Sequence, residues 1–287
     1  MGRGGLLLGL LLLLLPARAQ PAGTVASAAN PAATRQALAE AARLAAEYKD
    51  SEALSRYQDV LKANPDQYQA LWRAAELSVR IGQRYSDITR KSAYFDAARA
   101  YADHALVLRP EGGESNYAVA LALFSQATLL SARERLRAYR DLRSHVFLAV
   151  KQRPDLPDAW QLLGRWQYRV SHYNVLERLY SKLVLGGVPE GGSSRAAMES
   201  VERARELAPS RLQYCYDLAR MYRYQGRRQR AIAVLREAQH ILPITSEDLV
   251  YSRLCQAMLP PLVKKDERRQ RREARRTGQP AAPKAEE

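Results

Sequence analysis

The sequence is poor in the residues that most catalytic and metal sites require. It has four histidines (His104, His145, His172 and His240) and two cysteines, Cys215 and Cys255. No H-E-x-x-H pair and no Cys/His ligand spacing occurs, which removes the common zinc sites. Two cysteines in 287 residues are too few for a disulfide-built scaffold. There is no Walker loop and no G-x-S-x-G, so nucleotide and serine-hydrolase readings have no anchor. The glycine-rich stretch 186–192 lacks G-x-G-x-x-G spacing and a preceding strand, and reads as a flexible loop. Apart from Leu6–Leu15, no run is long and apolar enough to suggest a membrane span, and that run is itself about half the length needed. These absences point away from an enzyme, a cofactor or a metal, and toward an interaction protein.

What is present is basic charge, alanine-rich helix pattern and a distinctive start. Met1-Gly2-Arg3, the leucine run and Ala17-Arg18-Ala19 follow the charged, apolar and Ala-x-Ala order of a secretory signal cleaved after Ala19. An uncleaved anchor is the other reading of the same segment. Residues 20–34 are rich in Ala, Pro and Ser and read as a linker. The expectation is an exported protein, periplasmic or secreted, with a cytoplasmic or membrane-associated location as the alternative. The chain carries a net +15, and arginine supplies 37 of its 45 basic residues. That usage fits GC-rich coding and a bacterial source, and with the signal segment it favours the bacterial envelope. The last 24 residues hold nine cations against five anions, so most of the excess lies in the body. Residues 260–287 read as a basic, disordered tail, either a solvated end or a contact for an anionic surface. Pro260-Pro261 is expected to stop the helix before it.

The helical pattern repeats. Between Leu212 and Thr245, Cys215, Leu218, Ala219 and Tyr222 share one helix face, and Gly226 breaks that helix. Ala231, Leu235 and Ala238 then mark a second helix, closed before Pro243. A helix–turn–helix unit of about 34 residues is the tetratricopeptide (TPR) pattern. Pro65, Pro110, Pro154 and Pro209 close earlier second helices, at spacings of 45, 44, 55 and 34 when Pro243 is counted. The longer spacings predict insertions between the two helices of a unit. Alignment on the prolines recovers small and large positions: Leu71, Ala74 and Ala75 with Ala98, Ala102 and Ala105, and Trp160, Leu163 and Gly164 with Ala197, Val201 and Ala204. Trp160 and Leu163 are expected between helices, with Gly164 at a close crossing. Residues 246–259 read as a capping helix. The fold class is thus all-α, a TPR-like solenoid over 35–259. Cys215 and Cys255 lie on the last repeat and its cap, able to pair or to remain two buried thiols.

A TPR stack presents the first helix of each pair to its concave side. Periodicity places Trp72, Arg73 and Arg80 there from the second repeat. It adds Gln161, Arg165, Tyr168 and Arg169 from the fourth, and Gln213, Tyr216, Arg220, Arg223 and Tyr224 from the fifth. Arginine forks match carboxylates and tyrosines add contact area, so the partner expected is a protein or peptide, acidic in character. The same residues also fit a solvated helix face. A second feature is the stripe Leu176, Leu179, Tyr180, Leu183 and Val184 in the long insertion of the fourth unit. It is able to pack on its own protein, to cover the groove or to meet a membrane.

Beyond the generic repeat, Trp72-Arg73-Ala74-Ala75, Tyr94-Phe95-Asp96-Ala97-Ala98 and His104-Ala105-Leu106 occur in an order that resembles the regulator of microtubule dynamics family. Leu162 to Trp166 followed by Gly187-Val188-Pro189 is similar to its central unit, and 214–238 to its last. The resemblance, over about 72–259, implies an all-helical TPR-like domain without known catalytic residues. In animal members it implies microtubule association and membrane-contact roles. The export pattern departs from those members and favours an envelope adaptor over a cytoskeletal one.

Overall fold

A computed structural model describes residues 31–277. The expected signal segment, residues 20–30 and the last ten residues lie outside this range. The described residues form twelve helices and no strand. Antiparallel pairs follow one another: α1 (Pro31–Ala46) with α2 (Asp50–Ala63), α3 (Tyr68–Arg84) with α4 (Ile88–Leu108), and α5 (Gly113–Gln126) with α6 (Ala132–Gln152). Next come α7 (Pro157–Ser171) with α9 (Ser194–Leu207), and α10 (Leu212–Tyr224) with α11 (Arg228–Ala238). The short α8 (Val175–Val184) is inserted between α7 and α9 and packs on α6. The long α12 (Ser246–Thr277) covers α10 and α11. This is an all-α, TPR-like solenoid.

Proline writes the repeat into the backbone. Asn64, Arg109, Arg153 and Ala208 each follow a second helix and precede a proline. Their φ/ψ values are −141/89, −140/82, −129/70 and −143/76, near-identical extended conformations. A residue before proline is excluded from the helical region, so each helix ends there. Each of the four then accepts a bond from the amide three residues on, closing the same turn (Asn64 to Gln67, 3.2 Å; Arg109 to Gly112, 3.0 Å; Arg153 to Leu156, 3.1 Å; Ala208 to Arg211, 3.3 Å). The turn reverses the chain and starts the next unit.

Small residues set the closeness of the pairs. Ala98, Ala102 and Ala105 of α4 and Ala197, Val201 and Ala204 of α9 have no exposed surface. A Cβ at Gly164 would lie 2.5 Å from Val201 Cγ2 and 2.8 Å from the Ala197 carbonyl, so α7 and α9 cross at that glycine. Leu163 is buried beside it, whereas Trp160 is only half-buried, its Nε1 donating to the Pro154 carbonyl at 2.9 Å. Trp160 does pack against two adjoining core clusters, but the tryptophan wholly enclosed between helices is Trp166. It is fully buried, donates to the Tyr139 carbonyl at 2.7 Å and meets Phe147 edge-on at 5.6 Å.

Three further expectations are corrected. The long spacings of the second and third units come from longer second helices, 21 residues each in α4 and α6, and only the fourth unit holds an insertion between its helices. Helix α1 begins at Pro31, inside the stretch expected as linker, because proline suits a first helical turn. Pro260 and Pro261 do not stop α12, which continues through the expected disordered tail to Thr277. The missing amide bonds are outweighed by packing: Cys255, Met258, Leu259 and Leu262 sit in the core of the last repeat, and Asp266 lies 3.7 Å from Arg228 of α11. Cys215 and Cys255 are both buried free thiols.

Candidate functional site

The first helices face an inner groove. Glu76, Arg80 and Arg84 reach it from α3, Tyr117 and Leu121 from α5, and Asp158, Gln161 and Arg165 from α7. Arg211 and Gln213 add to it from the start of α10, and Glu247, Asp248 and Tyr251 from α12. That α3 and α12 line one cavity shows how far the solenoid curls: the second unit looks across at the cap. The neck there holds about 80 Å³ and opens into a chamber of about 630 Å³ that adds Lys91, Phe95, Phe124 and Val250. A further cradle of about 300 Å³ is formed by Tyr139, Arg165, Tyr168, Arg169, His172, Asp217 and Arg220 with Phe124 and Met221. Arg165 borders all three.

The arginines of the neck are each set against a carboxylate. Asp50, at the first turn of α2 and 1% exposed, accepts from Arg80 Nη1 at 2.9 Å and from Arg84. Glu76 accepts from Arg73 at 2.8 Å and from Arg80 at 3.4 Å. Asp158 accepts from Tyr214 Oη at 2.5 Å and from Arg211 at 3.2 Å. Asp217 accepts from Gln161 at 2.9 Å, with Arg165 Nε at 3.7 Å. Burial works against the Arg80 charge, but Glu76 and Asp50 outweigh it and hold its pKa above the ordinary value. Burial raises Tyr117 and Tyr214 well above the phenol range and Tyr251 to about 12. All three therefore remain protonated at neutral pH and able to donate.

The cradle differs. Arg169 is tied to Glu177 of α8, which together with the nearby tyrosines keeps it charged against the cost of burial. Arg165 lies 5.0 Å from the Phe124 ring, a cation–π contact. Arg220 forms no ion pair among the described residues and lies 5.8 Å from the Tyr216 ring. Tyr168 stacks on His172 at 4.0 Å. Arg165 is set against Asp217 and Arg169 against Glu177, so the positive charge left over in the cradle is that of Arg220.

Among the twelve residues expected in the groove, Arg80, Gln161 and Gln213 lie in the neck, and Arg165, Tyr168, Arg169 and Arg220 meet in the cradle. Trp72 does not line it. It is buried against α4 and α5, with the Arg73 guanidinium stacked on its ring at 3.9 Å. Tyr216 is half-buried against Tyr251 at 5.7 Å. Arg223 and Tyr224 sit at the far end of α10, with Tyr224 exposed, and line none of the three cavities. Sequence reasoning missed Arg84, Arg211, Asp158 and Asp217. The four-residue steps Glu76–Arg80–Arg84 and Gln161–Arg165–Arg169 carry the available signal. Among the described residues no group of three or more His, Cys, Asp or Glu side chains could hold a metal ion, and no helix is long and apolar enough to cross a membrane.

Comparisons with known proteins agree with this architecture. A thermophilic TPR protein of Thermus thermophilus superposes with a TM-score of 0.55 at 17% identity, over 77% of this chain and 98% of that one. The type IV pilus biogenesis factor PilW superposes at 0.50 and 16% identity, over 84% and 93%. At such identities these likenesses speak for the fold alone. Regulator of microtubule dynamics protein 3 of Rattus norvegicus is 29% identical over 185 residues, 61% of this chain and 38% of the relative. Regulator of microtubule dynamics protein 2 of Homo sapiens is 24% identical over 202 residues, 69% and 48% respectively. The chain thus spans less than half the length of these curated relatives. The family described as Regulator of microtubule dynamics protein 1-3 matches residues 37–263, most of the helical region, and the chain belongs to that family.

Proposed function

We propose that the chain is a non-enzymatic adaptor that binds an extended protein segment in its inner groove, with an acidic side chain of that segment in the cradle. The observation that carries this reading is Arg220, an arginine without an ion pair that lines a 300 Å³ cavity beside Arg165, Tyr168 and His172. The neck offers protonated tyrosines and paired charges, which suit backbone and polar contacts rather than a second acidic group. Part of the attraction is screened Coulomb energy, so affinity falls with salt. The test is titration of partner peptides recovered by pull-down, at low and high salt. Arg220→Glu is expected to weaken binding by about tenfold or more, because it turns an attraction for an acidic group into a repulsion, without altering helicity. Unchanged affinity would remove the cradle from the binding site.

Export before Gln20 is part of the same proposal, resting on Arg3, the leucine run and Ala17-Arg18-Ala19. N-terminal sequencing of the native protein decides it. Family membership favours a second reading, a microtubule- or membrane-associated adaptor whose basic helix end at 264–276 contacts an anionic surface. Co-sedimentation with microtubules separates the two: exported protein has no such encounter, and a bound fraction sensitive to that helix end supports the second.

A further inference from the structure

Helix α8 is built inside out. Its polar side faces the protein, with Glu177 bonded to Arg169 and Ser181 fully buried. Its aliphatic side faces solvent: Val175, Leu176 and Leu183 are 79%, 75% and 73% exposed, and Leu179 and Val184 are more than half exposed. Self-packing of this stripe, one of the sequence-based readings, holds only for the half-buried Tyr180. The helix is nonetheless firmly made. Asn174 and Glu177 form a reciprocal capping box, with both bonds at 2.9 Å, and Tyr173 and Leu185 anchor its two ends in the core. A rigid helix that turns five aliphatic side chains to water marks an interaction surface.

The surroundings say what covers it. Arg178 and Lys182 flank the stripe on α8 itself. Helix α6, against which α8 packs, adds Arg133, Arg137 and Arg140 at helical spacing. Arg133 lies 5.8 Å from the Tyr180 ring, and the Arg140 guanidinium lies 3.6 Å from where a Cβ on Gly186 would be, so this row borders α8. None of the five forms an ion pair among the described residues, while Glu134 is held by Ser131 and Glu177 by Arg169. Asp141 remains exposed beside them.

The geometry points to α8 and the arginine row of α6 as a peripheral docking face for an anionic membrane surface. An interfacial helix sinks aliphatic side chains roughly 5–10 Å into the headgroup boundary and keeps its cations among lipid phosphates. Here the cations need no release from internal partners, and α8 needs no ordering. A second copy of the chain is the wrong occupant, because a two-fold contact would set the same cationic rim against itself.

The test uses the full chain in flotation with vesicles of phosphatidylcholine alone and of phosphatidylcholine with phosphatidylserine. Wild type is expected to float with the anionic vesicles and to lose much of that binding in high salt. Leu176→Asp/Leu179→Asp/Leu183→Asp changes only exposed side chains, and is expected to reduce binding by about tenfold or more with the melting temperature retained. Should that variant lose its fold, Leu179→Trp replaces it: a blue shift of the added emission on anionic vesicles supports docking, and no shift overturns it. Failure of wild type to float also overturns the proposal, as does full binding by the triple variant, which would move the contact to another segment. A wild-type dimer in light scattering that the triple variant splits would assign the face to a second copy instead.

Discussion

The neck of the groove and the α8–α6 edge hold similar numbers of arginines, arranged in opposite ways. In the neck, Arg80, Arg84, Arg165 and Arg211 each face a carboxylate from another helix. On the edge, Arg133, Arg137, Arg140 and Arg178 form no ion pair among the described residues, although Asp141 lies exposed beside them. The first arrangement joins units of the solenoid, since Asp50 links α2 to α3 and Asp158 links α7 to the start of α10. The second leaves charge free for whatever approaches. Counting basic residues does not separate these roles; the position of the nearest carboxylate does.

The sharpest way to break the comparison is Asp50→Ala. It strips the carboxylate from two arginines at once, one of them three-quarters buried. Breaking a buried pair by removing one partner costs about 3–5 kcal/mol, and chemical denaturation reads it. A loss below about 1 kcal/mol would mean that the neck is held by packing alone. A smaller effect concerns alkaline pH. Burial raises Tyr251 of the groove wall and Cys255 behind it to about 12, against ordinary values of 10.0 and 9.0. The folded state thus holds these protons more tightly than the unfolded chain. Their contribution is complete below about pH 9 and is lost as pH rises toward 12. A pH series of denaturation midpoints should fall in that window, with a flatter fall in Tyr251→Phe. The smallest effect is expected at the edge: Arg137→Ala should change stability by less than about 0.5 kcal/mol, because no internal partner is abandoned.

The legible part of the molecule is local. Prolines at 65, 110, 154 and 209 fix the backbone of the residue before them, so the unit boundaries can be read directly. The small faces of α4 and α9 follow from periodicity alone. The parts that sequence misreads are decided at a distance. Trp160 occupies the repeat's consensus position, but Trp166 is the one that reaches Tyr139 of α6. The double proline at 260–261 is a local stop that contacts with α10 and α11 override. The groove is half legible for the same reason. Periodicity brings Arg165, Tyr168, Arg169 and Arg220 to one face, whereas apart from Glu76 the carboxylates that pair with the neck arginines come from 30 or more residues away, as Asp50 does for Arg80. The outward turn of α8 has no local signal, since an apolar stripe reads the same whichever side it faces.

The curl that brings α3 opposite α12 has a mechanical consequence. Four joints separate these helices, so a rotation at any of them changes the gap between the two. A rotation too small to disturb any single contact is multiplied along the chain into a change in the width of the neck. The wall of the groove therefore behaves as a spring whose stiffness is shared among the joints. A thick or rigid ligand meets a restoring force rather than a steric stop, and a substitution at any joint, however far from the ligand, resets the resting width.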